Sequence, residues 1–176
     1  MKKYVLMAAV FAIPMSGWAD CHIFASQQKV SWSKLSAAER QQAQGQAITL
    51  PEKQIQVQVV CSAPQRIRLF IGSDAAQNNT FALGPLGEMH IVASQARVDD
   101  KPVRLALVTA SDAAPASGGS ETADVALNQR LAFMDGKEVS GKTASVTFTV
   151  KSTVKPGSIS EKTTWHGNLK IKMEVQ

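Results

Sequence analysis

The sequence predicts an all-β domain, and three observations carry that prediction. Apolar and polar side chains alternate in several short runs, turn-forming residues separate those runs, and only one segment is rich in helix formers. Six or seven strands of this kind bury their apolar faces most simply by packing as a β-sandwich, with room for one short helix.

Residues 1–19 read as a secretory signal. Lys2 and Lys3 supply the basic start, residues 4–13 the apolar stretch, and Gly17-Trp18-Ala19 a small-x-small cleavage site, so the mature chain is expected to begin at Asp20. The stretch is too short to span a bilayer, and no later segment approaches the roughly 20 apolar residues of a transmembrane helix. Cys21 lies close to the cleavage point, but Trp18-Ala19-Asp20 is not the aliphatic-x-small run that precedes a lipidated cysteine. Removing 19 of the 176 residues leaves 157, enough for a single domain over 20–176.

The whole chain has 19 basic and 14 acidic residues, with no basic cluster, so it lacks the electrostatic footprint of a nucleic-acid binder. Runs such as Arg66-Ile67-Arg68-Leu69 and Lys170-Ile171-Lys172 read as strands with solvated basic faces. The only cysteines are Cys21 and Cys61, and in an exported protein two thiols predict one disulfide.

Residues 36–46 are the helix-former segment, with Ser36 and Glu39 at capping-box spacing. Ile55, Val57, Val59 and Cys61 then alternate with glutamines and Val60, which turns Cys61 toward the core. Ser62-Ala63-Pro64 predicts a turn, followed by a strand with Ile67, Leu69 and Ile71 on one face. Gly84-Pro85-Leu86-Gly87 reads as a bend, and residues 89–98, 103–109 and 144–150 as further strands. Asp99-Asp100-Lys101-Pro102 reads as a turn between two of them, and residues 110–124 as a flexible loop. At the chain end Leu169, Ile171, Met173 and Val175 alternate with Lys170, Lys172 and Glu174, the pattern of a strand with one buried face.

Catalytic constellations do not stand out. There is no Gly-x-Ser-x-Gly elbow, Gly84-Pro85-Leu86-Gly87 lacks the ending of a phosphate loop, and His22, His90 and His166 have no metal-ligand spacing. No enzyme, cofactor or metal is therefore expected. Asn78-Asn79-Thr80 matches a glycosylation sequon without other support. Trp32 and Trp165 read as packing residues, a sugar platform being the lesser reading.

The order of signal peptide, Cys21, Val30-Ser31-Trp32-Ser33-Lys34-Leu35, a polar stretch, Ile55-Gln56-Val57-Gln58-Val59-Val60-Cys61 and a terminal alternating strand resembles subunits of chaperone-usher fimbriae, especially their fimbrial-like branch of unassigned function. Cys61-Ser62-Ala63-Pro64, Phe81-Ala82-Leu83-Gly84, Arg130-Leu131-Ala132-Phe133 and Gly167-Asn168-Leu169-Lys170-Ile171 follow in the matching order. The resemblance implies a pilin-like, immunoglobulin-like sandwich lacking its last strand, with a groove beside the C-terminal strand. A periplasmic chaperone, and later a neighbouring subunit, would fill that groove with a donated strand on the way through an outer-membrane usher. Leu169, Ile171, Met173 and Val175 would line it, the Gln176 carboxylate would meet the chaperone's basic anchor, and Cys21 and Cys61 would bridge the first two strands.

Two departures qualify this resemblance. Cleavage after Ala19 would leave only Asp20 ahead of Cys21, which suits a subunit that accepts a strand without donating one; and Val175 stands where the family often has a Tyr. The implied role is a structural or adhesive subunit, exported, in the periplasm in transit and then in a fimbrium at the cell surface, with a host or surface receptor as an additional partner. The alternatives are a free-standing periplasmic β-sandwich binding protein and, less favoured, a secreted enzyme.

Overall fold

The computed structural model describes residues 19–25, 29–33, 38–39, 45–73, 76–77, 80–84, 87–116, 118–155 and 165–176. The strands in chain order are β1 (Cys21–Ala25), β2 (Lys29–Trp32), β3 (Ile48–Gly72), β4 (Ala76–Gln77), β5 (Thr80–Leu83), β6 (Gly87–Val98) and β7 (Lys101–Pro102). They continue with β8 (Arg104–Val108), β9 (Ala123–Val125), β10 (Gln129–Asp135), β11 (Lys137–Glu138), β12 (Ser140–Val154), β13 (Trp165–Asn168) and β14 (Lys170–Val175). Every pairing among them is antiparallel, and together they form one curled sheet plus the separate pair β2–β13. The all-β expectation is met.

The organising element is β3, a 25-residue strand whose two edges each take two partners in succession. Along one edge β12 pairs with residues 48–66 and β10 with 68–71; along the other β1 pairs with 57–61 and β14 with 67–72. The inward side chains of both stretches enter one core: Ile55, Val57 and Val59 with Phe148 and Ile91 from the first, Leu69 and Ile71 with Leu131, Phe133 and Ile171 from the second. Each such side chain removed from water stabilises the fold by about 1.5–3 kcal/mol.

The expected turn at Ser62-Ala63-Pro64 is instead a bulge within β3. From the pair Val60↔Thr143 to the pair Gln65↔Gly141, β3 advances five residues while β12 advances two. Surplus residues bend a strand without reversing it, and a bulge tolerates a proline that has no ladder donor. Distant neighbours keep the segment extended: Ser62 N donates to Asp20 O at 2.9 Å, and Arg66 and Gln176 exchange backbone hydrogen bonds at 3.0 and 3.1 Å.

The turn expected at Asp99-Asp100 is present as a two-residue hairpin connection closed by Val98↔Lys101. Both aspartates take positive φ, 46° and 63°, the signature of a type I′ turn. Asp99 Oδ1 accepts from Lys142 N and Thr143 N, each at 2.9 Å, so this carboxylate has a structural task. Residues 110–124 are irregular for most of their length, as expected, yet they are anchored: Ser120 and Leu105 exchange backbone hydrogen bonds, and the stretch ends inside β9. Of the expected helix only Ala38, Glu39, Gly45 and Gln46 are described, the first two helical. The signal segment before Ala19 and the sequon residues Asn78 and Asn79 lie outside the described residues.

Candidate functional site

The terminal alternating run folds as two strands. β13 pairs with β2, placing Trp165 opposite Trp32, whereas β14 pairs with β3, and Leu169 marks the change of partner. Gly167 permits the first half to pass close to Met89, whose sulfur a Cβ there would strike. Trp32 and Trp165 are only 4 % and 1 % exposed, and Trp32 Nε1 donates to Pro51 O at 2.8 Å, which removes both from any sugar platform.

Burial declines along the inward face of β14. Leu169 and Ile171 are buried, Met173 is half-buried, and Val175 is 42 % exposed. On the facing wall the inward residues of β1, Cys21, Ile23 and Ala25, are all half-buried. Among the described residues β1 and β14 each pair with β3 alone, so each presents an outer edge of backbone donors and acceptors. Their ends meet along β3 at Ser62 and Arg66, and the β2–β13 pair joins the same two chain segments at the far end. The result is a seam bordered by two strand edges and half-buried apolar side chains.

Covalent and polar contacts hold both edges in place. Cys21 and Cys61, directly paired across β1 and β3, form the expected disulfide. Asp20 is exposed with its N donating to Ser62 Oγ at 3.0 Å, and Ala19 is half-buried. Gln176 is exposed, and its side-chain amide donates to Ser111 O. Behind β14, Arg130 Nε donates to Glu174 Oε2 at 2.8 Å, Arg130 Nη1 donates to Thr109 O at 3.0 Å, and the guanidinium lies 5.1 Å from the Phe70 ring centroid.

Arg68 overturns the expectation of a solvated basic face. It is 2 % exposed, and its guanidinium forks onto Glu138 and also donates to Ser111 O at 2.7 Å. The Glu138 carboxylate holds the Arg68 guanidinium above its ordinary pKa, against the opposing effect of burial. Lys170 and Lys172 do face solvent.

Two open depressions of about 800 Å³ each lie elsewhere, one over Gln58, Ser145 and Arg97, the other beside Arg104, Glu121 and Asp135; neither is lined by a residue of β14. The first was missed in the sequence, although alternation within Cys21-His22-Ile23-Phe24 puts Phe24 on the face opposite Cys21, and therefore outward. Among the described residues no three His, Cys, Asp or Glu side chains gather as a metal-binding group. No helix among them is long and apolar enough to cross a membrane.

Fold and site together define an all-β, disulfide-linked domain in which the edges of β1 and β14 each lack a second partner strand among the described residues. No family model matches the chain, and no solved structure matches it. It is 30 % identical over 181 residues to YhcE of Escherichia coli (strain K12), a protein described as uncharacterized, with the whole of both chains covered, and it belongs to the same family as that protein.

Proposed function

We propose that this protein is a structural or adhesive fimbrial-like subunit, an immunoglobulin-like sandwich short of its last strand. It is completed first by a strand from a periplasmic chaperone and later by one from a neighbouring subunit, with export through an outer-membrane usher to the cell surface. The observation that carries the reading is the seam. A strand laid there would hydrogen-bond to the free edge of β14 and cover Ile23, Ala25, Met173 and Val175, which is β-augmentation with side-chain pockets for selectivity. The strand orders β1–β3–β12–β6 and β14–β3–β10–β8 also suit the two layers of such a sandwich, with the vacant place beside β14. The proposal assigns no catalytic residue and no cofactor.

The test is periplasmic expression with and without a fimbrial-class chaperone. The subunit is expected to aggregate or be degraded alone and to be recovered in a one-to-one complex when the chaperone is present. Ile171 is too deeply buried to probe the edge without damaging the core, so the informative variant is Val175→Asp, which should prevent recovery of the complex. A stable soluble monomer from the lone gene would overturn the proposal in favour of a free-standing periplasmic binding protein.

A further inference from the structure

The outward face of β1, β3, β12 and β6 carries a set of side chains that neither the core nor the seam employs. Phe24 stands opposite Gln58, Gln58 opposite Ser145, Ser145 opposite Arg97, and Arg97 opposite Pro102 of β7. Directly opposed residues in antiparallel strands share a face. With neighbouring strands about 4.8 Å apart, the row from Phe24 to Pro102 spans about 19 Å. It lines the open depression of about 800 Å³.

Two features of this row do not follow from folding alone. Phe24 is 58 % exposed at one end of the depression, while the disulfide three residues earlier and the pairing of β1 with β3 fix the backbone that carries it. Beside the row, β6 carries a surplus residue between the partners of Ser145 and Thr147, and there Gln95 adopts φ 56°, a backbone region that L side chains rarely occupy. A bulge re-aims side chains, and strain of this kind persists only where the surroundings impose it. Gln95 Oε1 accepts from Thr147 Oγ1 at 3.1 Å, which fixes its amide on the same outward face.

The chemistry of the lining narrows the occupant. Besides the apolar Ala25, Val57, Ala96 and Val146, it is built from planar amides, hydroxyls and two ring-bearing side chains, and it contains no carboxylate. Arg97 is its one charged group; Nη2 donates to Asp100 O, and the guanidinium retains further donors. An extended peptide finds no free edge over the polar groups, because β3 and β12 are paired on both sides beneath them, and the outer edge of β1 lies only at the Phe24 end. A purely apolar ligand would cover Gln58 and Ser145 without satisfying them. A sugar offers an apolar ring face to Phe24 and hydroxyl pairs to amides and hydroxyls, and a sugar carboxylate complements Arg97.

We propose that this face binds an acidic oligosaccharide, one ring stacked on Phe24, hydroxyls on Gln58 and Ser145, and a carboxylate at Arg97. The site shares β1 with the seam, Ala25 lining both, but its polar groups Gln58, Ser145 and Arg97 stand on β3, β12 and β6, so the proposal does not rest on the seam accepting a donated strand.

The experiment is calorimetric titration, with backbone amide shifts as a second readout, of the protein in the form recovered, alone or chaperone-bound. The probes are sialyllactose and oligogalacturonate, with lactose and maltotriose as neutral counterparts. An acidic probe should bind and shift the amides of Phe24, Gln58, Ser145 and Arg97. Phe24→Ala should weaken binding about tenfold or more, Arg97→Gln should abolish the preference for acid over neutral sugar, and Lys172→Gln on β14 should leave both unchanged. Exposed Phe24 can be truncated without opening the core, and an unchanged denaturation midpoint verifies that. Absence of binding by either acidic probe, or binding indifferent to Phe24→Ala, overturns the proposal.

Discussion

Arg68 and Glu138 form a two-pronged ion pair, Nε to Oε1 at 2.7 Å and Nη2 to Oε2 at 2.8 Å, with side chains only 3 % and 8 % exposed. Removing one partner of such a pair leaves an uncompensated buried charge, whereas replacing both with apolar groups is close to neutral. Arg68→Met is therefore expected to destabilise the fold by about 3–5 kcal/mol, and the double variant Arg68→Met with Glu138→Leu to recover most of that loss, measured by urea denaturation. Because the Arg68 pKa is raised, its contribution is fully present below the ordinary guanidinium value and is lost only as pH climbs through the raised one. Denaturation midpoints should show no Arg68-dependent fall up to about pH 10.

Ser152 is 1 % exposed, and its hydroxyl has no hydrogen-bond partner among the described residues. It stands opposite Leu50 and Met89, where nothing rewards a desolvated polar atom. Leaving a buried donor unmet costs about 1–3 kcal/mol. Ser152→Ala should accordingly match or exceed the parent in thermal unfolding, and a clear loss would mean the hydroxyl has a partner after all.

The bridge between Cys21 and Cys61 closes a loop across a sequence separation of 40. Loop-closure entropy credits such a link with roughly 3–4 kcal/mol. Cys21→Ala with Cys61→Ala should lower the denaturant midpoint by the equivalent amount. Amide exchange should accelerate first at Ile23 and Phe24, because β1 is then held by one ladder alone.

Gly87 closes the hairpin between β5 and β6 opposite Leu83. A Cβ at this position would collide with the Leu83 carbonyl oxygen and lie 3.0 Å from Leu83 Cβ and 3.1 Å from Val154 Cγ1. Backbone cannot yield as a flexible side chain does, so Gly87→Ala is expected to cost about 1–3 kcal/mol. Calorimetry should show a drop of about 2–4 °C in Tm for each kcal/mol.

How much of this was legible in the sequence depended on how local the cause was. The alternation of Ile55, Val57, Val59 and Cys61 reports a local pleat, and it correctly placed those four inward. The Asp99-Asp100 turn was also readable, because its chemistry lies within the turn itself. Ser62-Ala63-Pro64 was misread because composition distinguishes a break in pairing but not its kind; the residues that keep β3 extended there are Asp20 and Gln176, far away in sequence. Arg68 was misread for the same reason, since its partner lies 70 residues downstream. Along the terminal run, periodicity showed the apolar face but not the exchange of β2 for β3 at Leu169, which leaves the alternation untouched.

The two-partner edges of β3 also set a timetable. Every neighbour of this strand except β1 is made after it, and the last, β14, begins 98 residues beyond Gly72. At synthesis rates of about 5–20 residues per second, that interval lasts about 5–20 s. Nothing stands beside Leu69 and Ile71 until β10 begins at Gln129, 57 residues beyond Gly72, and the edge that takes β14 stays bare to the end; pairings this distant in sequence are slow to form even once the chain is complete. The strand that organises the finished molecule thus keeps an edge bare until the last strand is made, and early sticking should begin at residues 67–72.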